Sequence, residues 1–239
     1  MRNIIFLTGA GLSCPSGLPS FRNDPHAFWV KYDPDEVCHA LHRRSKAHFD
    51  FMNVYRHIVN KCHPNHAHCW IATLQRNFGS RVAVYTTNID DLHEMAGTVV
   101  THLHGCVANI RCEECGVRVR KGLSYTLYGD DLCVVGCRLG AMMRNDVVLF
   151  DEDTTKEYRG ILRELQDATD TCVFVVIGCS FTTYDWHRVV TRATKVLVDV
   201  DRELCEQMRD HFTYVICGDI SQAETLRMLE DILSSRDDA

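Results

Sequence analysis

Four cysteines near the middle of the chain have the spacing of a metal site. Two residues separate Cys112 from Cys115, three separate Cys133 from Cys137, and seventeen lie between the two pairs. Structural zinc takes four tetrahedral thiolate ligands, and closely spaced cysteine pairs are the usual way in which a chain supplies them. Because four cysteines leave no open coordination position, the sequence predicts that these residues bind a structural zinc ion.

The total number of cysteines bears on the cellular compartment. The 239-residue chain has thirteen cysteines, an odd number, and no basic and apolar leader is visible after Met1. Secreted proteins that depend on disulfides are usually shorter and have an even number of cysteines. We therefore expect an intracellular protein with reduced thiols, in the cytoplasm or the nucleus and not secreted.

A second group of possible metal ligands surrounds the start of a predicted helix. Its members are Cys62, His63, His66, His68 and Cys69. The apolar pattern of residues 65–77 indicates a helix, which would spread these side chains around its circumference. Capping and packing of that helix are therefore favoured over a second metal site.

A glycine turn follows the first strand-like segment. Backbone N–H groups in a turn such as Gly9-Ala10-Gly11-Leu12-Ser13 can approach a phosphate. The dehydrogenase fingerprint G-x-G-x-x-G would need glycine where the chain has Cys14, so hydride transfer is disfavoured. A tight turn without a ligand explains two glycines about as well as a phosphate-binding loop does.

The sequence Thr87-Asn88-Ile89-Asp90 stands at the end of another strand-like segment. Ligands bind at the carboxyl ends of strands in an open parallel sheet. The Asn88 side chain offers a donor and an acceptor, and the Asp90 carboxylate offers acceptors. The alternative, which is compatible with binding, is that Asn88 or Asp90 caps a helix containing Leu92.

Two histidines, His102 and His104, close a further strand-like segment just before Gly105. Histidine is the usual general base near neutral pH, and a strand end is a suitable place for one. Their spacing does not choose between them.

The elements that position these residues follow from the hydrophobic pattern. β-Branched runs that are continuous rather than alternating predict strands buried on both faces of a parallel sheet, at residues 3–8, 81–87, 99–103, 172–178 and 195–200. Apolar residues at helical spacing predict helices at residues 65–77, 157–168 and 221–233. Strands that alternate with helices predict a doubly wound α/β fold with a parallel sheet.

Two stretches interrupt this alternation. Residues 26–64 are rich in histidine and aromatic residues and predict irregular structure with short helices. Residues 106–146 contain the four cysteines and show no long helical pattern. Both are expected to be insertions into the main fold.

Composition and charge exclude several classes of protein. Lys+Arg number 26 against 32 Asp+Glu, a net charge of −6, which gives no support to direct nucleic-acid binding. The apolar runs are far shorter than the roughly 18 residues of a membrane helix, so we expect no membrane association. A hydrophobic content of 46% is typical of a globular protein, which we expect to be a monomer.

Taken in order, the motifs resemble those of the sirtuins, the NAD-dependent protein-lysine deacylases. The resemblance runs from Thr8 to the final helix and includes the four cysteines. The other matching segments are Gly9-Ala10-Gly11-Leu12-Ser13, Ser16-Gly17-Leu18-Pro19-Ser20-Phe21-Arg22, Pro64-Asn65-His66-Ala67-His68, Thr87-Asn88-Ile89-Asp90, Leu103-His104-Gly105, Val147-Val148-Leu149-Phe150-Asp151-Glu152 and Gly178-Cys179-Ser180.

The resemblance implies a Rossmann-like NAD-binding domain and a small domain made of two insertions. The large domain would consist of residues 1–30, 65–105 and 147–239. Residues 31–64 would form the helical part of the small domain and residues 106–146 its zinc-binding part. NAD would lie in the cleft between the two domains.

The resemblance also assigns site residues. His104 matches the family's catalytic base, which settles the choice against His102, and Asn88 matches its catalytic asparagine. The residues implied to bind NAD are Gly9, Ala10, Gly11, Ser13, Phe21, Arg22, Thr87, Asn88, Ile89, Asp90, Gly178, Cys179, Ser180, Asp199 and Ile220. The residues implied to bind the acyl-lysine substrate are Val148, Phe150, Met52 and Tyr55.

The implied reaction transfers an acyl group from lysine to ADP-ribose. The acyl oxygen would attack the ribose C1′ as nicotinamide leaves, in a pocket that excludes water. His104 would then take a proton from a ribose hydroxyl. The substrate would be an acyl-lysine protein or peptide, and the products free lysine, nicotinamide and O-acyl-ADP-ribose.

Several positions depart from the family pattern. Thr87 replaces a glutamine, Asn145 a proline, Asp151 a glycine and Asp199 an asparagine. Asp151 and Thr87 motivate an alternative function on the same fold, NAD glycohydrolase or ADP-ribosyltransferase. A non-catalytic NAD-binding module is a third class.

The acyl group is left open by the sequence. Members that remove acidic acyl groups carry Tyr-x-x-Arg, and the aligned positions here are Met52 and Tyr55. The signature is incomplete, but the neighbouring Arg56 keeps an acidic acyl group in consideration.

Overall fold

The computed structural model describes residues 3–20, 27–133, 135–137, 140–153, 156–168, 171–182, 184–190 and 192–234. Its strands form two sheets. They are β1 (Asn3–Thr8), β2 (Val82–Thr86), β3 (Thr101–His102), β4 (Gly105–Cys112), β5 (Arg118–Arg120), β6 (Met143–Val147), β7 (Cys172–Ile177), β8 (Thr194–Asp199) and β9 (Tyr214–Cys217).

The larger sheet has six strands in the order β3-β2-β1-β7-β8-β9, and all neighbouring strands are parallel. The five strands expected from the sequence are all present in it. β9 was not predicted, because it is a short edge strand with only one buried residue, Ile216. The parallel α/β fold is therefore confirmed.

Helices cover both faces of this sheet. The described helices are α1 (Ala10–Ser13), α2 (Phe28–Lys31), α3 (Pro34–Cys38), α4 (Lys46–Val59), α5 (His66–Phe78), α6 (Leu92–Met95), α7 (Lys156–Gln166), α8 (Trp186–Val189), α9 (Arg202–Gln207) and α10 (Ala223–Ser234). Among these residues, no helix combines the length and the apolar character needed to cross a membrane.

Side chains of β1 alternate between the two faces of the sheet. Ile4 and Phe6 pack in a cluster with residues of α5 and α10, while Ile5 and Leu7 pack in another with residues of α7. Each of the four is at most 3% exposed. This burial on both faces explains the continuous apolar runs in the sequence.

The segment before α5 differs from its prediction. Only short helices were expected within residues 26–64, whereas α4 has 14 residues. Its buried residues Phe49, Met52 and Val59 recur at helical spacing, and the Ser45 side chain accepts a hydrogen bond from the backbone N–H of His48. The expectation was wrong because polar and charged residues interrupt this apolar stripe.

The smaller sheet consists of β5, β4 and β6 in that order, with antiparallel pairing. It lies in the stretch for which no long helix was expected. β6 was not predicted because its sequence, Met-Arg-Asn-Asp-Val, is polar although all five residues are buried. Arg144 pairs with Glu152 and Asp146 with Arg118, so ion pairs satisfy the charges buried there.

Candidate active site

A cleft of about 620 Å³ lies at the carboxyl ends of β1, β2, β7 and β8. It is lined by residues from both sheets and from the helical segment. Of the residues singled out in the sequence, those that line it are Gly9, Ala10, Gly11, Met52, Thr87, Asn88, Ile89, His104, Val148, Phe150, Gly178, Cys179, Ser180 and Asp199.

Six of the predicted site residues do not appear in this lining. Phe21 and Arg22 lie outside the described residues. Ser13 and Asp90 are buried behind Asn88, and Ile220 packs in the core cluster beneath α10. Tyr55 packs against Phe28 and Phe51.

The glycine turn is pressed against the end of β7. A Cβ atom on Gly9 would lie 2.5 Å from the carbonyl oxygen of Gly178, and one on Gly11 would lie 2.6 Å from its Cα. The Gly11 N–H already donates to the Gly178 carbonyl at 3.0 Å. The glycines therefore allow the turn after β1 to pack against the end of β7, and the cleft opens beside this contact.

Asn88 is held in a fixed orientation. Its side-chain nitrogen donates to the carbonyl of Gly9 at 3.0 Å and to Ser13 Oγ at 3.1 Å. Since both amide hydrogens are used by the protein, the side-chain oxygen is the group that remains to accept a hydrogen bond from a ligand.

Asp90 is a buried acid, 3% exposed. Its carboxylate accepts hydrogen bonds from Ser13 Oγ at 3.0 Å and from the backbone N–H of Leu92 at 3.1 Å, at the start of α6. Burial raises its pKa to about 6, even though both hydrogen bonds act in the other direction. The N-cap of α6 is Asp91, so neither Asn88 nor Asp90 caps this helix as predicted, although the Asp90 carboxylate accepts from its first backbone N–H.

His104 is poised as a neutral base. Its Nδ1 lies 2.9 Å from the carbonyl oxygen of Thr87, which can only accept, so Nδ1 carries the hydrogen. Nε2 then accepts from the Tyr158 hydroxyl at 2.9 Å. Burial lowers the pKa of the imidazole, and the bond to Thr87 offsets part of this shift.

The structure separates the two histidines that spacing left equivalent. His104 lines the cleft, whereas His102 points away from it towards Glu94, with Nε2 2.9 Å from the carboxylate. No role was predicted for Tyr158, although its spacing with Ile161 and Leu165 places it on the buried face of α7. Nothing in that spacing marks its hydroxyl as a partner of His104.

Asp199 ends β8 and lines the opposite side of the cleft. Its Oδ1 accepts from the backbone N–H of Asp201 at 2.9 Å, and burial raises the pKa of the carboxyl group. A carboxylate in this position can accept hydrogen bonds from ribose hydroxyls.

The wall of the cleft next to β6 is apolar. Met52, Val148 and Phe150 were expected there, and Trp29 and Cys38 join them. No sequence signal marked Trp29 and Cys38, because their contacts with Phe150 join segments that are distant in the sequence.

The backbone of Phe150 is already paired. Its N–H donates to the Cys38 carbonyl at 2.8 Å, and its carbonyl accepts from the Ala40 N–H at 3.0 Å. The next residue, Asp151, has a left-handed φ of 63° and forms an ion pair with His39 at 2.9 Å. A substrate backbone that binds along this segment must use other groups or displace residues 38–40.

The side chain of Arg56 is buried and has a structural role. It is 1% exposed, and its guanidinium donates to the Val107 carbonyl at 2.8 Å and to the side chain of Asn145. Asn145 also contacts His48 Nε2 at 3.1 Å, which gives this departure from the family's proline a structural role. Arg56 therefore does not face an acyl group in the cleft.

The four predicted metal ligands come together at the end of the smaller sheet. The sulfurs of Cys112 and Cys137 are 3.6 Å apart, those of Cys133 and Cys137 3.6 Å, and those of Cys115 and Cys133 3.9 Å. Zinc–sulfur bonds of about 2.3 Å in a tetrahedron place the sulfurs about 3.8 Å apart. The cluster therefore fits zinc.

The remaining thiols and the histidines near α5 lie outside this cluster. None of the thirteen cysteines, all within the described residues, forms a disulfide. His68 belongs to a capping box with Asn65 at the start of α5, where its Nδ1 accepts from the Asn65 N–H at 3.3 Å. Within the described part of the chain, the histidines near the start of α5 do not join a metal-binding group.

A family model described as the Sir2 family matches residues 9–185, well over half of the chain. The chain belongs to the Sir2 family. Curated relatives agree. A protein of Campylobacter jejuni named NAD-dependent protein deacylase is 38% identical over 184 residues, covering 75% of each chain. One of the same name from Mycobacterium tuberculosis is 34% identical over 185 residues, covering 76% of each.

Solved structures of Sir2 proteins share the fold. A serine-to-alanine variant of a Sir2 homologue in complex with ADP-ribose has a TM-score of 0.80 at 25% identity and covers 97% of this chain and 93% of that one. A complex of a Sir2 homologue with NAD has a TM-score of 0.78 at 26% identity, with 97% and 90% covered.

These relationships establish the Sir2-family chain as an NAD-dependent protein deacylase. Its cleft fits NAD chemically, since Asn88, Ser180 and Asp199 supply polar groups beside an otherwise largely apolar wall. The volume of about 620 Å³ is in the range of cofactor sites. NAD and structural zinc are thus the two groups that the chain uses.

Proposed function

We propose that the chain removes neutral acyl groups from lysine side chains of an intracellular protein substrate and transfers them to ADP-ribose. It would act as a monomer, in the cytoplasm or the nucleus. The observation that carries the proposal is the position of His104. Its basic Nε2 lies in the same cleft as the oriented Asn88 oxygen and the apolar wall of Met52, Val148 and Phe150.

Each side chain has a separate task in this proposal. NAD supplies the ADP-ribosyl group that becomes the acyl acceptor. The Asn88 oxygen and the Asp199 carboxylate accept hydrogen bonds from ribose hydroxyls and fix the position of the sugar. The Thr87 carbonyl keeps the hydrogen on Nδ1 of His104, so Nε2 can take a proton from a ribose hydroxyl once that hydroxyl replaces Tyr158.

The choice of a neutral acyl group rests on the charge of the cleft. No lysine or arginine is among the described residues that line it, and Arg56 is bonded to Val107 and Asn145. A carboxylate buried against Met52 and Val148 would lose its hydration without gaining a cation, which is costly. Acetyl and other uncharged acyl groups avoid this cost.

The test is to incubate the protein with NAD and matched peptides that carry acetyl-, butyryl- or succinyl-lysine, with mass analysis of all products. We expect nicotinamide and O-acyl-ADP-ribose from the two neutral substrates and little turnover of succinyl-lysine. His104→Ala should lower the rate by about 10²-fold or more. The exposed His57→Ala is the matched control and should keep full activity.

The same experiment separates the alternatives. Release of nicotinamide without any acyl-peptide would identify an NAD glycohydrolase, for which the paired backbone of Phe150 and the ion pair of Asp151 offer a structural reason. Binding of NAD without turnover would identify a sensing module. Full deacylation by His104→Ala would refute the assigned base.

A further inference from the structure

A second cluster of metal-ligating side chains lies behind the cleft. It consists of Glu94 on α6, His102 on β3 and Cys106 on β4, and their ligand atoms all lie within 4.8 Å of one another. None of the three lines the cleft or takes part in the proposed reaction. They come from three different elements, so the fold rather than a local turn brings them together.

The orientation of His102 is that of a metal ligand. Its Nδ1 lies 2.8 Å from the carbonyl oxygen of Asn88, so Nδ1 carries a hydrogen and Nε2 points at Glu94, 2.9 Å away. Histidines that bind metals commonly donate their second ring N–H to a backbone carbonyl, which fixes the ring and the tautomer.

An ion pair between His102 and Glu94 explains only part of this arrangement. Oε2 of Glu94 is buried and has no hydrogen-bond partner among the described residues. Buried polar atoms in proteins are normally partnered, so this oxygen calls for an explanation. The thiol of Cys106, which is 1% exposed, also lies within 4.8 Å of the ligand atoms of Glu94 and His102. An ion pair between Glu94 and His102 does not involve this thiol.

We propose that Glu94, His102 and Cys106 bind a zinc ion that is distinct from the four-cysteine site. Zinc would replace the hydrogen on Nε2 of His102 and that of the Cys106 thiol, and both protons would leave to solvent. The carboxylate, the neutral imidazole and the thiolate then carry two negative charges, which balance Zn²⁺. Zinc accepts oxygen, nitrogen and sulfur ligands and imposes no geometry from its d electrons. A water molecule would complete the tetrahedron.

The distances are compatible with this assignment. Zinc bonds of about 2.0–2.3 Å place tetrahedral ligand atoms about 3.3–3.8 Å apart. The His102–Glu94 pair, at 2.9 Å, is closer than this and all three ligand atoms lie within 4.8 Å of one another, so binding requires side-chain shifts of about 1 Å or less. The ion would join α6, β3 and β4 beside Asn88 and His104.

The test measures the zinc content of the purified protein after dialysis against buffered zinc. Wild type should retain one more zinc ion per chain than Cys106→Ser, with the four-cysteine site filled in both. Glu94→Gln keeps the side-chain volume and should also lose the additional ion. Cys62→Ser, which alters another buried thiol, is the matched control and should bind as much zinc as wild type.

Thermal unfolding provides a second readout. Filling the four-cysteine site with added zinc should raise the Tm of all four proteins. Wild type and Cys62→Ser should show a further rise in Tm that Cys106→Ser and Glu94→Gln lack. Equal zinc content in wild type, Cys106→Ser and Glu94→Gln overturns the proposal. If Cys106→Ser fails to fold, Glu94→Gln decides the question by the same comparison.

Discussion

The two sheets of the molecule are stabilised in different ways. The six-stranded sheet has a large apolar cluster on each face. The three-stranded sheet packs in a cluster of six buried residues and shares another with α4 through Val107 and Val147, and its edge strand β6 buries a run of charged and polar side chains. Small cores usually need an additional constraint, and here the four thiolates provide a place for one.

The cleft is lined by residues that follow strands of both sheets. Asn88 and His104 follow strands of the six-stranded sheet, whereas Val148 and Phe150 follow β6 of the smaller one. The proposed catalytic residues thus follow strands of the sheet with the larger apolar clusters, and the proposed acyl-binding wall follows the sheet with the metal site. Substitutions on the two sides of the cleft should therefore differ in their effects.

Loss of the structural metal should have the largest effect. Zinc contributes about 10 kcal/mol or more to small metal-binding folds, so Cys133→Ser or chelation should unfold the smaller sheet and abolish deacylation. Hydrogen exchange should accelerate in β4–β6 while β1 and β7 stay protected. The exposed Cys217→Ser is the control. Unchanged exchange in residues 105–147 would contradict the comparison.

Gly178→Ala should destabilise the six-stranded side. Gly178 has φ of +62°, and a Cβ there would lie 2.6 Å from the backbone of Gly11 and Leu12. Left-handed strain of about 1–2 kcal/mol and overpacking of about 1–3 kcal/mol add to a loss of roughly 2–5 kcal/mol in the free energy of unfolding.

Gly122→Ala is the matched control for this variant. Gly122 has φ of +82° in the smaller sheet region, and an added Cβ there meets nothing within 4 Å. It should therefore show the strain alone. Equal losses in the free energy of unfolding for Gly178→Ala and Gly122→Ala, measured by denaturant unfolding, would mean that the contact between the ends of β1 and β7 is not tight.

Asp90→Asn also alters the side of the six-stranded sheet. It replaces a buried carboxylic acid that has no cation bonded to it. Because burial raises the folded-state pKa to about 6 from the usual 3.8, the carboxyl group destabilises the fold increasingly as pH rises from about 4 to about 6. The difference amounts to about 3 kcal/mol. The Tm of Asp90→Asn relative to wild type should therefore be higher at pH 7.5 than at pH 5, and a pH-independent difference would exclude this origin.

Asp151→Gly should have the smallest effect. Glycine relieves a left-handed strain of about 1 kcal/mol but removes an exposed ion pair worth about 0–1 kcal/mol. The net change in stability should stay below about 1 kcal/mol in thermal unfolding. His39→Ala isolates the ion pair. A large destabilisation by Asp151→Gly would show that this carboxylate supports the wall of the cleft.

The sequence predicted the six-stranded sheet well because its strands are apolar on both faces. Residues 3–8 were predicted as a strand and form β1 with the same bounds. The smaller sheet was not predicted in detail, since Arg144, Asn145 and Asp146 are buried by pairing with residues distant in sequence. Local periodicity does not report such pairing.

The site was predictable to the level of motifs. The resemblance predicted His104 and Asn88 as catalytic residues, since spacing left His102 and His104 equivalent, and both line the cleft. The contact of Tyr158 with His104 joins residues 54 positions apart, and the pairing of Phe150 with Cys38 and Ala40 joins the segment after β6 to the end of α3. Both depend on the assembled fold, which no single segment encodes.

The alignment of Asn88 and His104, the proposed catalytic pair, depends on chain length as well as on side chains. Thr86 of β2 stands opposite His102 of β3, and Asn88 and His104 each follow two positions later. Deleting Leu103 would shift the imidazole by about 3.3 Å and turn it to the other face of the sheet, whereas an apolar substitution would leave it in place. Insertions and deletions between these strand ends and the two residues should therefore be rarer among functional variants than amino-acid replacements at Leu103.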